Sequence, residues 1–506
     1  MYMEIPMRTL KWTALLLASA GTLAMPTISA AQTAPDADEG DEIMVVTGYS
    51  LQNQRAISAK RDAQVISEFV TSDDAGQNPD YNIADALRRV PGVAAVFDED
   101  EGRYVAVRGL NPDYTLVTLN GSQLASSDQS SRRVLIEQVP ASAVARMQVV
   151  KSLTPQYDGN AIGGLVDLQT RSAFDQSGMY LNAQALLGYY DSNSVPGDNG
   201  LSYRADATLS STFGPDDAFG IVLTGSYMER TRDQERMIIT GYNYYTAQGV
   251  TATDPANQDV SRAPSGVYYL NYALKSKRFG GAATLEYKPD SNFYASLYYS
   301  HYTQDDDETR YGVTIAPSGV PTLTGDASGS VAGASVSATT SQFVISKPVD
   351  TAQARIAYDD GSTSLDLRGS YSQARWDEIG PGITLSSGAK SALAYSYDID
   401  ANGPNLVFTN PAFFQNEGNY ALTSTNSTDF NVSEQVKNLR ADLRHAFGES
   451  GWALGIGGAY KDVERTLDRE SPSWASTGLT GADFALGADY TPPYATGALP
   501  MIDRVA

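Results

Sequence analysis

The sequence predicts a membrane β-barrel of antiparallel strands, of which this chain supplies a part, with a compact α/β domain at its N-terminus that lies in the barrel lumen. Beyond residue 174, apolar and polar residues alternate with a period of two, so each strand has one apolar face and one wet face. Short turns and long polar segments alternate between these strands. No later apolar run is long enough for a transmembrane helix, so strands must make any membrane crossing.

The N-terminus has the composition of a secretory signal. Arg8 and Lys11 precede an apolar stretch from Trp12 to Leu23, and small residues follow it. This order of basic, apolar and small residues is typical of a cleaved signal peptide, and the apolar stretch is too short to span a membrane. Residues 1–31 are therefore predicted to direct export and to be removed.

Residues 32–50 are predicted to form a disordered linker. The segment begins with QTAPDADEG, which is small, acidic and contains proline. A short β-prone run ends it, made of Ile43, Met44, Val45, Val46 and Thr47.

Composition excludes several classes of protein. The chain has 506 residues, no cysteine, two histidines and a formal net charge of −23. Without cysteine, an exported protein must gain its stability from an extensive sheet or a large core rather than from disulfides. The acidity argues against nucleic acid as a partner. No metal-ligand cluster or glycine-rich phosphate loop is evident, so we predict no catalytic residues, no metal and no cofactor.

Residues 51–174 are predicted to form the compact α/β domain. Asn82 caps a short helix, IADALRR, which ends at Pro91 and Gly92. A second short helix is predicted over Pro140 to Arg146. The predicted strands are Tyr104 to Arg108, Thr115 to Leu119 and Met147 to Lys151. Asn120 and Gly121 form the kind of turn that favours a hairpin.

Residues 175–506 are predicted to form barrel strands. We count nine, at residues 179–190, 201–213, 218–230, 278–288, 292–302, 351–359, 364–376, 436–447 and 452–465. Tight turns are predicted at residues 214–217, 288–291, 359–361 and 448–451, and long polar loops at residues 231–277, 303–350 and 377–435. Short turns on one side and long loops on the other are typical of outer-membrane barrels.

Three blocks of the α/β domain resemble the plug domain of the TonB-dependent outer-membrane receptors. They read NIADALRRVPGV, VAVRGLNPDYTLVTLNG and VPASAVARMQVVKSLTPQYDGNAIGGLVDLQTRSAF, and together they cover most of residues 82–174 in the order of the family. The blocks are most similar to the subtype common in sphingomonad, Caulobacter and Xanthomonas relatives. We use the name plug for this domain below.

The resemblance implies a mechanism and partners. In this family, the run Ile43 to Thr47 would be the TonB box, which pairs with TonB by strand addition while the linker supplies reach. TonB, energised by ExbB and ExbD, would pull the plug and open a path for a bound small-molecule ligand. The expected location is the outer membrane of a Gram-negative cell, in contact with lipid and lipopolysaccharide.

The resemblance also implies roles for single residues of the plug. Arginines of a plug would pair with barrel carboxylates, and the candidates here are Arg108, Arg132 and Arg133. Turns and close backbone approaches are assigned to Gly109, Asn120, Gly121, Gly159, Gly163 and Gly164.

The sequence does not decide which class of ligand the protein binds. Relatives of this subtype often take up carbohydrates, so a scarce oligosaccharide is placed narrowly ahead of an iron siderophore or cobalamin. A soluble carbohydrate-binding β protein would explain the tyrosine-rich strands, but it would not explain the plug blocks. A hydrolase would need paired carboxylates in a cleft. The acidic run Asp305 to Glu308 is instead predicted to be a solvated loop, with divalent-cation binding as the alternative.

The strand count predicts that the chain is the N-terminal part of a longer receptor. Nine is an odd number, whereas single-chain bacterial barrels have an even number of strands and leave no edge facing lipid. Plugged transporters close with about 22 strands.

Overall fold

The computed structural model describes residues 56–61, 63, 65–71, 82–98, 101–155, 157–176, 178–190, 200–246, 248–253, 256, 259–400, 403–414, 416–448, 451–475 and 478–483. The predicted signal peptide, residues 1–31, and the predicted linker with the box, residues 32–50, lie outside the described residues.

The plug is built from two small sheets and short helical segments. Its strands are β1 (Ser67–Thr71), β2 (Val93–Asp98), β3 (Glu101–Val107), β4 (Thr115–Leu119), β5 (Ser122–Gln123), β6 (Arg146–Val150) and β7 (Gly164–Gln169). One sheet has the order β1-β6-β7-β4-β5, in which β4 and β7 are parallel and the other pairs are antiparallel. The other sheet is the antiparallel hairpin of β2 and β3.

The helix of the plug follows the predicted cap. It spans Ile83–Leu87, and the Asn82 side chain accepts a hydrogen bond from the Asp85 backbone N–H at 3.2 Å. Its apolar side chains join the plug core, which includes Ile83, Leu87, Val107, Val117, Met147, Val149, Val166 and Leu168. These residues are buried because the helix and the strand faces turn their apolar sides to one another.

The second predicted helix of the plug is wrong in type and length. Residues Ala141–Ala143 form a single 3-10 turn, and β6 begins at Arg146. The two residues between this turn and the strand leave no room for the hydrogen bonds of an α-helix. Further 3-10 turns lie at Pro112–Tyr114, Ala173–Asp175, Pro215–Asp217, Ser391–Leu393, Pro411–Phe413, Glu417–Asn419 and Gly481–Asp483. No helix in the described part of the chain is long and apolar enough to cross a membrane.

Most of the described residues after the plug form one large antiparallel sheet, which we call the wall. Its strands are β8 (Tyr180–Tyr189), β9 (Leu201–Phe213), β10 (Phe219–Thr246), β11 (Val260–Tyr287), β12 (Phe293–Pro317), β15 (Ala334–Ser346), β16 (Val349–Asp359), β17 (Thr363–Lys390), β20 (Ala421–Ala446), β21 (Ala453–Glu470) and β22 (Ser473–Ala475). Both β15 and β16 pair with β12 and β17, and both β21 and β22 pair with β20. The described wall therefore has nine strand positions, as predicted.

The wall strands are longer than predicted. For example, β10 and β11 stay paired from Phe219 opposite Tyr287 to Thr246 opposite Val260, so most of the predicted loop at residues 231–277 is strand. Much of the predicted loops at residues 303–350 and 377–435 is likewise strand, in β12, β15, β17 and β20. In these parts of the strands, polar side chains occur on both faces, so the alternation of apolar and polar residues on which the prediction depended is lost. The backbone pairing nevertheless continues.

Two rows of aromatic residues border an apolar band on the outer face of the wall, which is the face away from the plug. One row lies near the tight turns and contains Phe213, Phe219, Tyr287, Phe293 and Tyr358. The other contains Tyr203, Tyr227 and Phe279. Exposed apolar residues between the rows include Leu223, Leu285, Leu297, Ile356 and Leu439.

The spacing of the two rows matches a membrane. Phe279 and Tyr287 stand eight residues apart on β11, which is about 26 Å of strand and about 20 Å along the membrane normal for a strand tilted by about 40°. An outer-membrane barrel carries an apolar band about 25 Å tall between its aromatic girdles.

The far end of the wall carries a second core. A small antiparallel sheet of β13 (Thr322–Leu323), β14 (Ser328–Val331), β18 (Tyr395–Asp400) and β19 (Gly403–Phe408) packs against the loop ends of the long strands. The residues it buries, which we call the distal core, include Val267, Tyr269, Ile315, Val336, Leu385, Leu393, Tyr395 and Phe414. The wall therefore supports the plug at one end and an apolar core at the other.

Candidate functional site

The plug and the inner face of the wall make many polar contacts, and one apolar cluster also crosses the interface, in which Tyr104 and Leu135 of the plug pack with Trp376 and Phe430 of the wall. Hydrogen bonds join Ser142 to Asp206, Ser172 to Glu286, Asn120 to Gln353, Ala125 to Ser372, Gln129 to Glu378 and Ser126 to Glu434. Side-chain and backbone groups of this kind can exchange their partners for water. The plug is therefore attached both by polar contacts that water can replace and by a small apolar cluster.

The centre of the interface is a buried set of charges, which we call the ion-pair cluster. Its members are Glu101, Arg103 and Glu137 of the plug and Arg230, Arg232, Arg278, Asp306 and Lys347 of the wall.

Glu101 is the plug residue that meets the most wall cations. It begins β3 and is 1% exposed. Arg278 of β11 donates from both terminal nitrogens to its carboxylate, with Nη2 at 2.7 Å from Oε2. Arg232 and Arg230 of β10 place Nη1 at 3.1 Å and 3.5 Å from the same oxygen. Three wall arginines thus converge on one plug carboxylate.

Glu137 makes the second charged contact between plug and wall. Lys347, which connects β15 to β16, places Nζ at 3.2 Å from Glu137 Oε1 and at 2.7 Å from Asp306 Oδ2. Arg103 of the plug donates to the other oxygen of Glu137 at 3.1 Å. Lys347 also stacks over the Trp376 ring at 4.5 Å.

The cations keep both plug carboxylates ionised. Burial alone would raise the pKa of Glu101, but Arg278, Arg232 and Arg230 outweigh burial and hold this pKa well below its ordinary value. The pKa of Glu137 is also lowered, because Arg103 and Lys347 offset its burial. Buried charges of this kind are tolerated only while they are paired, so the cluster depends on the plug being in place.

The three arginines predicted to hold the plug in the wall make their hydrogen bonds inside the plug, and this prediction is corrected. Arg108 follows β3 with φ 58° and donates to the Gly163 and Ile162 carbonyls at 2.9 and 3.0 Å. Its side chain thereby ties two turns of the plug together.

Arg132 and Arg133 also act within the plug. Arg132 donates to the carbonyls of Asp113 and Asn160 at 2.7 and 2.9 Å. Arg133 pairs with Asp128 at 2.9 Å and lies 4.2 Å from the centre of the Tyr104 ring. The polarity of the interface is therefore the reverse of the prediction, with carboxylates on the plug and cations on the wall.

Alternation along β10 was the signal that could have found the wall cations. Arg230 and Arg232 are two residues apart, so they lie on one face of the strand. Glu101 and Glu137 carry no comparable signal, because a single acidic residue in a plug segment is ordinary at a solvated surface. Their partners become visible only when the plug is placed against the wall.

Most of the predicted turn positions have the expected backbone. Asn120 and Gly121 have φ of 51° and 81°, as a two-residue hairpin turn requires, and Gly109 has φ 73°. A Cβ added to Gly163 or Gly164 would lie 3.0 Å or 2.8 Å from its nearest neighbouring atom, so both permit close packing. Gly159 lies in the turn from Asp158 to Ala161, which the Ala161 N–H closes by donating to the Asp158 carbonyl at 3.2 Å, and it has open space around it.

The turn at Asn120 borders a polar cleft between plug and wall with a volume of about 370 Å³. Gln353 of β16 donates to the Leu119 carbonyl at 2.7 Å and accepts from the Asn120 side chain at 3.0 Å. Asp167 of the plug holds the same turn from the other side, through the Gly121 backbone N–H at 2.7 Å. Burial raises the pKa of Asp167.

Aromatic and cationic side chains lie on the inner face of the wall beyond the plug. Arg310 of β12 lies 4.9 Å from the Tyr272 ring centre and 4.3 Å from that of Phe343, and it pairs with Glu308. Its side chain is 36% exposed. An arginine between two rings can contact an aromatic or anionic ligand.

The acidic run Asp305 to Glu308 lies within β12, which corrects the prediction of a solvated loop. Asp306 and Glu308 point inward and are 4% and 2% exposed, because each pairs with a cation. No group of three or more histidine or acidic side chains in the described part of the chain could hold a metal ion.

Comparisons with known proteins identify the plug. Residues 59–165 match the family model described as TonB-dependent Receptor Plug Domain. The ferric enterobactin receptor of Pseudomonas aeruginosa is 25% identical over 151 residues, which are 27% of this chain and 20% of that protein. The vitamin B12 transporter BtuB of Vibrio cholerae is 28% identical over 145 residues, covering 28% of this chain and 23% of that protein.

Solved structures are similar at low identity. A crystal structure of the ferric enterobactin receptor PfeA from Pseudomonas aeruginosa is 12% identical, with a TM-score of 0.35, and the match covers 88% of this chain and 76% of that chain. The copper transporter OprC is also 12% identical, with a TM-score of 0.33, and the match covers 79% and 59%.

The match to the curated relatives spans only about a fifth to a quarter of their length. The family model covers residues 59–165, which include most of the predicted blocks and the plug carboxylates Glu101 and Glu137. Residues 59–165 therefore match the plug domain of TonB-dependent receptors, and this domain packs against an antiparallel wall.

Proposed function

We propose that this protein is a TonB-dependent receptor of the Gram-negative outer membrane that takes up a scarce ligand too large for passive pores. The observation that carries the proposal is a plug domain attached by polar contacts to the inner face of a wall whose outer face is apolar. The two aromatic rows on that outer face suit the two interfaces of a membrane. The bounds assigned above to signal peptide, linker, plug and barrel are part of this proposal.

Energy would enter through the N-terminal linker. Ile43 to Thr47 would add as a strand to TonB, which ExbB and ExbD energise, and the pull would be transmitted to β1 of the plug. The polar contacts around the plug would then be replaced by water. No covalent chemistry is involved.

The relatives favour an iron siderophore as the ligand, with cobalamin as the second candidate. Two of the relatives are named for ferric enterobactin and vitamin B12. The narrow preference for oligosaccharide has no support from them. Arg310 between Tyr272 and Phe343 adds a reason to prefer a siderophore, because a cation flanked by rings suits an anionic or aromatic ligand.

A soluble carbohydrate-binding protein fits the wall less well. Leu297 and Leu439 are both 61% exposed on the outer face, and Ile356 is 45% exposed between them. Adjacent strands carry such residues in register, so the exposed apolar area is continuous. Monomeric soluble proteins rarely expose continuous apolar patches larger than a few hundred Å².

The test is a proline in the proposed box. Val45→Pro removes a backbone donor and fixes φ, so strand addition to TonB should fail. We expect energised uptake of a radiolabelled ferric siderophore to be lost in cells, while binding of the same siderophore to chilled cells is retained. Val45→Thr keeps the backbone donor and the β-branched shape, so it should retain uptake.

Two other outcomes would change the proposal. Normal uptake by Val45→Pro at normal surface level would refute the assignment of the box. Binding of labelled cyanocobalamin, but of no ferric siderophore, would favour the second candidate ligand.

A further inference from the structure

We propose that the ion-pair cluster is a counterion-exchange site, in which oxyanion groups of the ligand replace Glu101 and Glu137 when the plug moves away. The cluster would then make the opened path selective for anionic ligands over neutral ones. This inference rests on the proposed function, because it requires the plug to be displaced.

The first step is the unequal division of charge between the two parts. The wall contributes four cations to the cluster, Arg230, Arg232, Arg278 and Lys347, and one carboxylate, Asp306. The plug contributes two carboxylates and Arg103. Displacement of the plug therefore leaves the wall members of the cluster with an excess of positive charge.

The second step is the free energy that this excess of buried positive charge would cost. Arg278 is 5% exposed in the closed arrangement, whereas Lys347 keeps the wall residue Asp306 as a partner at 2.7 Å. A cation in such a position is strongly destabilised when its carboxylate partner is taken away. Water reduces this cost, and an oxyanion reduces it further, since guanidinium groups bind carboxylate and phosphate oxygens with two parallel hydrogen bonds.

The third step is that other inward arginines of the wall are arranged differently. Arg204 pairs with Asp206 at 2.5 Å, and Arg440 pairs with Asp442 at 2.5 Å. Each pair lies on a single wall strand, so it persists when the plug leaves. Arg278, in contrast, forms an ion pair with the plug residue Glu101.

The experiment uses the absence of cysteine from the chain. Ser276→Cys would place a single thiol in the cluster, because Ser276 lies opposite Arg230 and Asp306 in the strand register and is 1% exposed. Whole cells with energised TonB would be treated with two methanethiosulfonate reagents, one carrying a sulfonate and one carrying a trimethylammonium group.

We expect the sulfonate reagent to label the thiol at least about tenfold faster than the cationic reagent, because a single unit charge a few ångströms away already gives about this preference in water. Adding Arg278→Gln removes one of the four wall cations and should lower the preference several-fold without abolishing it. Arg278→Lys keeps the charge and should keep most of the preference. Arg440→Gln is the matched control and should leave the ratio unchanged.

The outcomes separate this inference from the proposed function. Labelling that requires energised TonB, but has equal rates for the two reagents, would overturn counterion exchange and leave TonB-driven opening intact. Absence of labelling in energised cells would also overturn the inference, because the cluster would not open. Equal labelling with and without Val45→Pro would instead refute the pull on the plug.

Discussion

The two ends of the wall use opposite chemistry on the same strands. Near the tight turns, the inner face meets the plug through the ion-pair cluster and neutral hydrogen bonds. Near the loop ends, the opposite face, which carries Phe279 and Leu297 lower on the strands, packs into the distal core, where Val267, Ile315 and Leu393 are fully buried. Burying a large apolar side chain stabilises by about 1.5–3 kcal/mol, whereas hydrogen-bonded polar contacts can be exchanged for water. The plug is thus held largely by polar contacts, with a small apolar cluster around Tyr104 and Trp376, whereas the loop ends are held by a larger apolar core.

The largest expected effect is at Glu101. Glu101→Ala would leave Arg278 and its neighbours without their plug carboxylate, at a cost of about 3–5 kcal/mol in the attachment of the plug. Limited proteolysis of the membrane-inserted protein should show much faster cleavage of the plug, with the distal core still protected.

The control for Glu101 is an exposed ion pair. Asp462 pairs with Lys437 at 3.6 Å, and the side chains are 46% and 51% exposed. Asp462→Ala should change stability by less than about 1 kcal/mol. Equal proteolysis rates for the two variants would show that the cluster does not hold the plug.

A substitution in the distal core should destabilise the loop ends of the wall and leave the plug attached. Leu385 is 1% exposed, so Leu385→Ala should destabilise the loop ends by about 2–5 kcal/mol through lost burial and a cavity. Hydrogen exchange measured by mass spectrometry should increase in β18 and β19, and proteolysis of the plug should not change. Val407→Ala, at a 51% exposed position of β19, is the control and should have little effect.

Lowering the pH should weaken the attachment of the plug without any mutation, and it should leave the distal core packed. The folded-state pKa values of Glu101 and Glu137 lie below the ordinary value of 4.5, so their stabilisation is complete above that pH and is lost as the pH falls toward the lowered values. The loss is about 1.4 kcal/mol per pH unit for each carboxylate. Proteolysis of the plug by an acid-active protease should be constant from pH 7 to 5 and rise below about 4.5. A rise already complete at pH 6 would contradict this account.

The smallest effect is expected at the turn beside the polar cleft. Gln353→Ala removes two neutral hydrogen bonds to Leu119 and Asn120, which should cost about 1 kcal/mol or slightly more. Cleavage at the Asn120 turn should increase a few-fold. Gln342→Ala removes a hydrogen bond to Asp307 within the wall and should not affect that turn.

Local patterns predicted much of the fold. The alternation in Leu201 to Phe213 matches β9, the Asn120 and Gly121 pair matches a hairpin turn, and Asn82 caps the helix as expected. Each of these features depends on residues within a few positions of one another. The halves of β10 and β11 farthest from the tight turn were not predicted as strands. Their pairing depends on the neighbouring strand rather than on alternation in their own sequence.

The sequence by itself determined the order of the parts, the strand positions of the wall, the apolar outer face and the plug blocks, because period, turn chemistry and composition act locally along the chain. Only the tertiary structure decided which charges hold the plug. Glu101 and Arg278 are 177 residues apart in sequence, and their pairing depends on the plug being seated against β10 and β11. Arg108, Arg132 and Arg133 bond within the plug for the same reason, since a long side chain takes the partners that the packed backbone brings within its reach.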